Sequence, residues 1–206
     1  MQNNSINANY NDLFVASIDI GTNSTHLLVA QISSDLKSFT IKFTEKTTTR
    51  LGERDDDGNL TEEAIDRVIE TLKRFKEYCI SYGVSKILAA ATSAVRESPN
   101  GRDLIKRVRE NIGITIELIS GAEEARLIYL GVLSGMSLGK KSHIICDIGG
   151  GSTELILANS QDTRALTSSR IGAVRLKNDF FQDEPCLLYT SPSPRDVSTS
   201  RMPSSA

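Results

Sequence analysis

The sequence predicts an α/β protein that contains a short internal repeat. Apolar residues alternate with polar ones over several short segments, which is typical of strands, and they recur at helical spacing from about residue 61. Residues 18–30 match residues 146–158 after a shift of 128 positions, with seven of the thirteen residue pairs identical. A mixed domain of strands and helices therefore comes first, and a second unit that opens in the same way follows it.

Three strands are predicted at the start of the chain. They are residues 13–20, 25–32 and 38–46. A tight Gly-Thr-Asn-Ser turn joins the first two, and apolar residues share one face of the third: Phe39, Ile41 and Phe43. The acidic segment 53–59 is predicted as a loop, and its three consecutive aspartates are interpreted as solvated rather than as a metal site.

Helices and strands alternate after this loop. A helix is predicted from about Thr61 to near Gly83, because five apolar residues recur at helical spacing: Ile65, Val68, Ile69, Leu72 and Phe75. The next elements are a strand at 86–91, a loop at 92–101, a helix at 103–111, a strand at 114–119 and a helix from 122 to about 133. The order β-β-β-α-β-α-β-α is that of an α/β domain.

The predicted domains are a first unit at residues 13–136 and the start of a second at 142–185, separated by a Gly- and Ser-rich linker within 133–141. If the second unit repeats the first, it needs about a hundred further residues, yet the pattern stops near Asp183. In residues 186–206, 11 of 21 residues are Ser, Thr or Pro, which predicts a disordered tail. We interpret it as sequence appended to a gene fragment rather than as a native tail.

The composition excludes several classes of protein. With 206 residues, 39% hydrophobic and 24% charged, the chain is of ordinary globular type, and a net charge of −2 argues against general binding to nucleic acid or anionic membranes. The first residues do not resemble a signal peptide, so a cytoplasmic location is predicted. Three cysteines without CxxC spacing support neither a disulfide framework nor a zinc site, and Cys146, in an apolar run, is predicted in the core.

Two glycine turns are the candidate anion-binding elements. The first consists of Gly21, Thr22, Asn23 and Ser24, and the second of Gly149, Gly150, Gly151, Ser152 and Thr153. Glycine lets backbone N–H groups approach an oxyanion closely, and the hydroxyls add donors. Asp19 and Asp147 precede the turns and could each anchor a divalent cation. An ordinary hairpin is the alternative for either turn alone; two matched turns favour a phosphate clamp.

Two commoner nucleotide-binding motifs are excluded. The P-loop requires a lysine that is absent, and the dinucleotide motif requires a third glycine where Glu154 stands and a helix after it. The residues after Glu154 resume as a strand.

Adjacent glutamates begin the helix near residue 122. Ser120 as N-cap and Glu123 three residues later predict a capping box, in which the Glu123 carboxylate binds the cap N–H. Glu124 lies about 100° further round the helix and is free for chemistry. The alternative is that both carboxylates only complement the helix dipole.

At these motifs the chain resembles a known family. The segments ASIDIGTNSTHLLVA, ATSAVRES, ISGAEEARLIYLGV, ICDIGGGSTELIL and SRIGAVRL are similar to those of the exopolyphosphatase / guanosine pentaphosphate phosphohydrolase family, in order and over residues 14–179. The resemblance implies an actin-like, duplicated ribonuclease-H-like α/β fold, with the first lobe complete and the second only begun. It also implies removal of a terminal phosphate from polyphosphate or guanosine pentaphosphate.

The resemblance assigns the catalytic glutamate to Glu124, as a general base for water. It favours a Mg²⁺ site between Asp19 and Asp147, with Glu154 orienting metal-bound water rather than decorating an exposed strand face. Arg96 is predicted to fork onto phosphate oxygens. Weaker candidates of the same kind are Arg50 and Arg175, and His26 is given no role.

Two other functions stay open. An actin-like-fold kinase would use the same turns for ATP, and a sensor would bind polyphosphate or guanosine tetraphosphate without hydrolysis. The expected partners are the phosphorylated substrate, with neither nucleic acid nor membrane, and the resemblance is compatible with a homodimer of a full-length parent. The 206-residue chain alone is expected to be inactive or nearly so.

Overall fold

Two β-sheets organise residues 13–181, which are the residues that the computed structural model describes. The strands of the first sheet are β1 (Leu13–Ile20), β2 (Ser24–Ile32), β3 (Phe39–Thr48), β4 (Lys86–Ala91) and β5 (Ile116–Leu118). Their spatial order is β3-β2-β1-β4-β5, with β1, β2 and β3 antiparallel and β4 and β5 parallel to β1. The carboxyl end of β1 therefore lies beside that of β4, where the chain turns towards the candidate site.

Four helices precede the second sheet in the sequence. They are α1 (Glu62–Ser81), α2 (Ser93–Arg96), α3 (Gly101–Ile112) and α4 (Gly121–Gly135). Helix α1 begins where the Thr61 hydroxyl accepts a hydrogen bond from the N–H of Ala64. Its apolar face is buried against the sheet, as the spacing predicted, and Phe75 is fully enclosed. This core fixes the ends of β1 and β4.

The second sheet is smaller and antiparallel. It consists of β6 (His143–Ile148), β7 (Thr153–Ala158) and β8 (Thr163–Ser169), in that order, and helix α5 (Ala173–Phe180) follows it. Helix α4 packs on this sheet, where Ala125 and Tyr129 are buried with Ile156, and the Tyr129 hydroxyl donates to the carbonyl of Asn159 at 2.9 Å. The predicted first domain, residues 13–136, includes α4, which nevertheless packs on the second sheet. The predicted domain boundaries therefore stay a prediction.

The predicted elements up to residue 158 are present, with ends that differ by at most two residues. The predicted loop at 92–101 contains α2 and the start of α3, and α4 extends to Gly135, into the predicted linker. Strand β8 and helix α5 were not predicted. Strand β8 contains only Ala165 and Leu166 as apolar residues, so the alternation that reveals a strand is weak there.

The prediction for Cys146 is wrong, because its side chain is exposed. Strand β6 is an edge strand that pairs only with β7 among the described residues, and the face that carries Ile144, Cys146 and Ile148 is open to solvent. Ile144 is 75% exposed and Ile148 is 68% exposed on the same strand. An apolar run predicts a strand, but burial also requires a packing partner.

Within residues 13–181, none of the helices has the length and apolar character needed to cross a bilayer. The predicted tail at 186–206 lies outside the described residues.

Substitution of Phe75 by alanine tests the core. Because Phe75 is 0% exposed, Phe75→Ala should lower the free energy of unfolding by about 3–5 kcal/mol, measured by urea unfolding. Phe39 is 49% exposed on β3, so Phe39→Ala should cost less than about 1 kcal/mol. Equal losses in the two variants would contradict this placement of the core.

Candidate active site

The two glycine turns have the same hydrogen-bonded geometry. The N–H of Gly21 donates to the carbonyl of Ser24 at 3.0 Å, and the N–H of Gly149 donates to the carbonyl of Ser152 at 2.9 Å. Both bonds close a hairpin between antiparallel strands, β1 with β2 and β6 with β7. The sequence repeat is therefore also a structural repeat.

The turns pack directly against each other, and this contact explains the glycines of the second turn. A Cβ atom on Gly150 would lie 3.1 Å from Cβ of Thr22. A Cβ atom on Gly151 would lie 2.6 Å from the Thr22 hydroxyl and 2.5 Å from that of Ser93. Distances below about 3 Å leave no room for a side chain, so close approach requires glycine at residue 151.

The carbonyl groups of the first turn are bound by the segment that follows β3. The Thr22 carbonyl accepts from the N–H of Gly52 at 2.8 Å. The Asn23 carbonyl accepts from the N–H groups of Thr49 at 3.0 Å and Arg50 at 2.9 Å. These bonds hold the turn from one side.

The carbonyl groups of the second turn are bound by the start of α5. The Gly149 carbonyl accepts from the N–H of Ala173 at 2.9 Å, and the Gly150 carbonyl accepts from those of Val174 at 2.9 Å and Arg175 at 3.1 Å. Helix α5 has no side-chain N-cap, so the glycine turn caps it instead. A Cβ atom on Gly172 would lie 2.4 Å from the Gly150 carbonyl oxygen, which requires glycine there too.

Binding the carbonyls from outside orients the N–H groups. In a trans peptide, the N–H points opposite to the preceding carbonyl. The N–H groups of Asn23, Gly150 and Gly151 therefore point away from the segments that bind the turns, and they have no acceptor within residues 13–181. Converging free N–H groups form an anion-binding concavity.

One cleft of about 490 Å³ lies between the turns. It brings together most of the residues that the sequence singled out: Asp19, Gly21, Thr22, Asn23, Ser24, Glu124, Asp147, Gly149, Gly150, Gly151, Ser152 and Glu154. The expectation that Asp19 and Asp147 share a pocket is met. Thr153 is outside the cleft, because it points to the other face of β7, and its hydroxyl donates to the carbonyl of Ile171.

Glu124 lies at the N-terminal end of α4 with its side chain 16% exposed. Burial and the nearby carboxylate of Glu154 raise the pKa of Glu124 to about 7, against the opposing effect of Arg96. A carboxyl group with a pKa near 7 accepts a proton readily at neutral pH. The position and the pKa of Glu124 both suit a general base.

Arg96 does not line the cleft among the described residues; it lies behind Glu124. Its Nη1 donates to Oε2 of Glu124 at 3.3 Å and to the carbonyl of Ile119 at 2.9 Å. The guanidinium thus contacts α4 and the residue after β5 through Nη1, and the phosphate contact that the loop position predicted stays a prediction. In this arrangement Arg96 holds the carboxylate of Glu124.

Glu154 is buried rather than exposed on a strand face. Glu154 is only 2% exposed. Its Oε1 accepts a hydrogen bond from the Ser168 hydroxyl at 2.7 Å. Strand β8, which the sequence did not reveal, supplies this partner. The alternative of a decorative surface carboxylate is wrong.

Asp19 and Asp147 face each other across the cleft. Burial raises the pKa of Asp19, which His26 opposes and Asp147 reinforces. Within residues 13–181, neither carboxylate has a side-chain hydrogen bond or an ion pair. Two carboxylates that no other side chain binds directly are hard oxygen ligands suited to a divalent cation.

No group of three or more His, Cys, Asp or Glu in the described part of the chain could hold a metal ion by itself. Mg²⁺ is commonly bound by one or two carboxylates together with water and substrate phosphates. Asp19 and Asp147 therefore fit a Mg²⁺ ion only when water or phosphate oxygens complete its shell.

The capping box is only half formed. The Ser120 hydroxyl accepts from the N–H of Glu123 at 3.1 Å, as predicted. The Glu123 carboxylate does not return to the cap, because both its oxygens accept from Arg126 at 2.7 Å. Glu123 thus points to solvent while its neighbour Glu124 lines the cleft.

The weaker candidates have structural roles. Arg50 adopts a positive φ of 50° and acts through its backbone N–H. The Nε of Arg175 donates to the carbonyl of Gly151 at 3.1 Å, and its guanidinium pairs with Glu97. Asp55 accepts from the N–H groups of Asp57 and Asn59 in an exposed loop, as predicted.

Sequence reasoning missed Ser93, Glu97 and Lys46. Lys46 lines the cleft beside His26, and Glu97 is 10% exposed beside the second turn. Glu97 directly follows Arg96, and that position was the available signal.

Comparison with known proteins finds a family of phosphatases. The model of the Ppx/GppA phosphatase family matches residues 28–192. A bifunctional 3-dehydroquinate synthase/phosphatase of Fusobacterium nucleatum is 37% identical over 187 residues, which are 87% of this chain and 28% of that protein. Exopolyphosphatase 1 of Mycobacterium leprae is 32% identical over 168 residues, 82% of this chain and 50% of that protein.

Solved structures show the same fold. An exopolyphosphatase from Cytophaga hutchinsonii superposes with a TM-score of 0.75 at 37% identity, over 82% of this chain and 54% of that one. A Ppx/GppA family member from Aquifex aeolicus gives 0.70 at 33% identity, over 91% and 59%. The predicted α/β fold class is confirmed, and the chain spans about half the length of the exopolyphosphatases it matches.

Substitution of Gly151 tests the contact between the turns. Since a Cβ atom there would lie 2.5 Å from the Ser93 hydroxyl, Gly151→Ala should lower the free energy of unfolding by about 1–3 kcal/mol. Gly131 lies inside α4, where an added Cβ atom would meet nothing within 4 Å, so Gly131→Ala should raise it by about 0.5–1 kcal/mol. Urea unfolding measures both, and a fully stable Gly151→Ala would contradict the contact.

Replacement of Glu124 by glutamine tests its raised pKa. A carboxyl whose folded pKa is about 7 rather than 4.5 contributes stability below pH 4.5 that is lost as the pH rises through 7. The stability of Glu124→Gln relative to the unsubstituted chain should therefore increase between pH 4 and pH 8, by on the order of 3 kcal/mol.

Glu123→Gln is the control for this pH dependence. Its pairing with Arg126 lowers the pKa of Glu123, so the relative stability of this variant should change in the opposite direction. Urea unfolding at several pH values measures both variants, and a flat difference for Glu124→Gln would contradict the assignment.

Proposed function

The chain belongs to the Ppx/GppA phosphatase family, and from that premise we propose that it forms part of a phosphoanhydride hydrolase, which removes the terminal phosphate of polyphosphate or guanosine pentaphosphate. One observation carries the proposal: two glycine turns with oriented N–H groups meet in the same cleft as Glu124. The turns suit a phosphate chain, and the carboxylate suits activation of water.

The turns would bind the substrate. The N–H groups of Asn23, Gly150 and Gly151, with the hydroxyls of Ser24 and Ser152, would donate to phosphate oxygens. Because the segments behind the turns already hold their carbonyl groups, little reorganisation is needed as negative charge shifts during the reaction. Preorganised donors of this kind supply a large part of transition-state stabilisation.

Glu124 would act as the general base. Water would attack the terminal phosphorus while Glu124 accepts its proton. The bond from that phosphorus to the bridging oxygen then breaks, and the bridging oxygen leaves with the electron pair. A pKa of about 7 makes Glu124 an effective acceptor at neutral pH. Arg96, at 3.3 Å from the carboxylate, keeps it oriented.

Asp19 and Asp147 would hold Mg²⁺ together with water and phosphate oxygens, and Glu154 would orient a bound water. When bound, the ion would supply neutralisation of charge on the phosphate oxygens. Both proposed substrates end in the same phosphoanhydride linkage, so this chemistry serves either one.

We expect this chain alone to be inactive or nearly so. Large apolar side chains of the second unit are exposed, including Ile144, Ile148 and Phe180, so that unit is incompletely packed within the described residues. A displacement of about 1 Å can reduce the rate about a hundredfold.

Activity is therefore tested in a chimera that replaces the matching half of the Cytophaga hutchinsonii exopolyphosphatase with residues 13–181 of this chain. With Mg²⁺, the chimera should release inorganic phosphate from polyphosphate or guanosine pentaphosphate. Glu124→Gln should lower kcat by about 10²–10⁴-fold while binding of tripolyphosphate persists. Glu123→Gln, the same change one residue earlier, should stay within about twofold.

Equal turnover by the Glu124→Gln and Glu123→Gln chimeras would refute the catalytic assignment. Transfer of phosphate to an added alcohol or carboxylate would identify a kinase of the same fold. Tight binding of polyphosphate or guanosine tetraphosphate without phosphate release would identify a sensor.

A further inference from the structure

Arg175 connects the second glycine turn to the first unit. From the first turn of α5, its Nε donates to the carbonyl of Gly151 at 3.1 Å, and its Nη2 forms an ion pair with Glu97. Its side chain is 32% exposed and that of Glu97 is 10% exposed. A planar guanidinium binds two acceptors in fixed directions through separate nitrogens, whereas the donors of an ammonium all lie on one rotating nitrogen.

The bond to Gly151 has a consequence for the cleft. Because Arg175 holds the Gly151 carbonyl, the N–H of Ser152 is turned to the opposite side of the same peptide plane. Ser152 lines the cleft. The backbone N–H groups of Ala173 and Val174 already orient the two preceding peptides of the turn. The side chain of Arg175 therefore orients the third peptide of the same turn.

Glu97 fixes Arg175 from the other side. Its Oε2 binds Arg175, and its Oε1 accepts from the Ser93 hydroxyl at 3.0 Å, with Arg170 at 3.8 Å. The Ser93 hydroxyl is also the atom that a Cβ on Gly151 would approach to 2.5 Å. The ion pair thus lies directly behind the contact between the two turns.

Adjacent residues of the chain, at the end of α2, reach two parts of the site. Arg96 binds the Glu124 carboxylate, and Glu97 binds the arginine that holds Gly151. The α2 segment consequently fixes both the proposed base and the second anion-binding turn, and it sets their separation.

We propose that Glu97 and Arg175 are a pair of positioning residues that orient the third peptide of the second glycine turn towards the phosphate of the substrate. This inference rests on the proposed function, because it assigns the pair to the same phosphate site. In this proposal the guanidinium of Arg175 binds protein groups, and it does not bind the phosphate directly. The pair acts through the backbone of Gly151 and Ser152 and does not touch the substrate.

The test uses the 206-residue chain with tripolyphosphate and Mg²⁺ as the probe. Arg175→Lys keeps the positive charge but loses the planar fork that binds Gly151 through Nε and Glu97 through Nη2, so tripolyphosphate affinity measured by calorimetry should fall about tenfold. Glu97→Gln weakens the anchor and should reduce affinity about threefold. Arg126→Lys is the matched control, since Arg126 forks onto Glu123 on the exposed face of α4, and affinity should be unchanged.

A second readout needs no ligand. In ¹⁵N relaxation measurements, the amide order parameters of Gly151 and Ser152 should fall from about 0.85 to below about 0.7 in Arg175→Lys. Those of Thr22 and Asn23 should not change. A purely structural ion pair would instead lower the urea midpoint and leave these local order parameters and the affinity as they are.

The possible results separate the two proposals. Unchanged affinity and order parameters in both variants overturn the positioning role, even if the unsubstituted chain binds tripolyphosphate. If the unsubstituted chain does not bind it, phosphate recognition by this chain fails, and the order parameters alone decide whether the pair orients the turn. If Arg175→Lys does not fold, the affinity and order parameters of Glu97→Gln test the positioning role in the same way.

Discussion

The contact between the two glycine turns is the constraint on which the rest of the site depends. Thr22 of the first turn packs where side chains on Gly150 and Gly151 would otherwise lie. This contact brings β1 and β6 together at their ends, and so brings Asp19 and Asp147 to one cleft. The elements that follow each hairpin then hold its carbonyl groups from outside, residues 49–52 for one and the start of α5 for the other. A repeated hairpin thereby becomes a single anion-binding site with two halves.

The environment of Glu124 follows from the same arrangement. Helix α4 leaves the first sheet and packs on the second, so its N-terminal end lies where the two units meet. Burial there, together with Glu154 on β7, raises the pKa of Glu124, and Arg96 limits the rise. The pKa of this carboxyl therefore depends on elements from both units. A change that separates the units would alter the base as well as the phosphate site.

Much of the fold and site could be predicted from the sequence, because the signals were local. Helical spacing located α1, and the repeat located both turns and both aspartates. What the sequence could not indicate depended on tertiary partners. Cys146 lies in an apolar run but on an uncovered edge strand, and only Phe43 of the three apolar residues on β3 packs on the core, while Phe39 and Ile41 are about half exposed. Arg96 and Arg175 bind protein groups that distance along the chain could not indicate.

The capping of α5 by the second glycine turn affects how motifs are interpreted. Gly172 must be a glycine because Gly150 lies against it, although Gly172 does not line the cleft. Its place in the segment SRIGAVRL reflects backbone packing and not ligand chemistry. A pattern compiled from the glycine-containing segments of such a chain would include residues that never meet a nucleotide or a phosphate. If every residue of a short sequence motif is assigned to the substrate, the number of substrate contacts is therefore too high. The excess consists of residues that only support the loop.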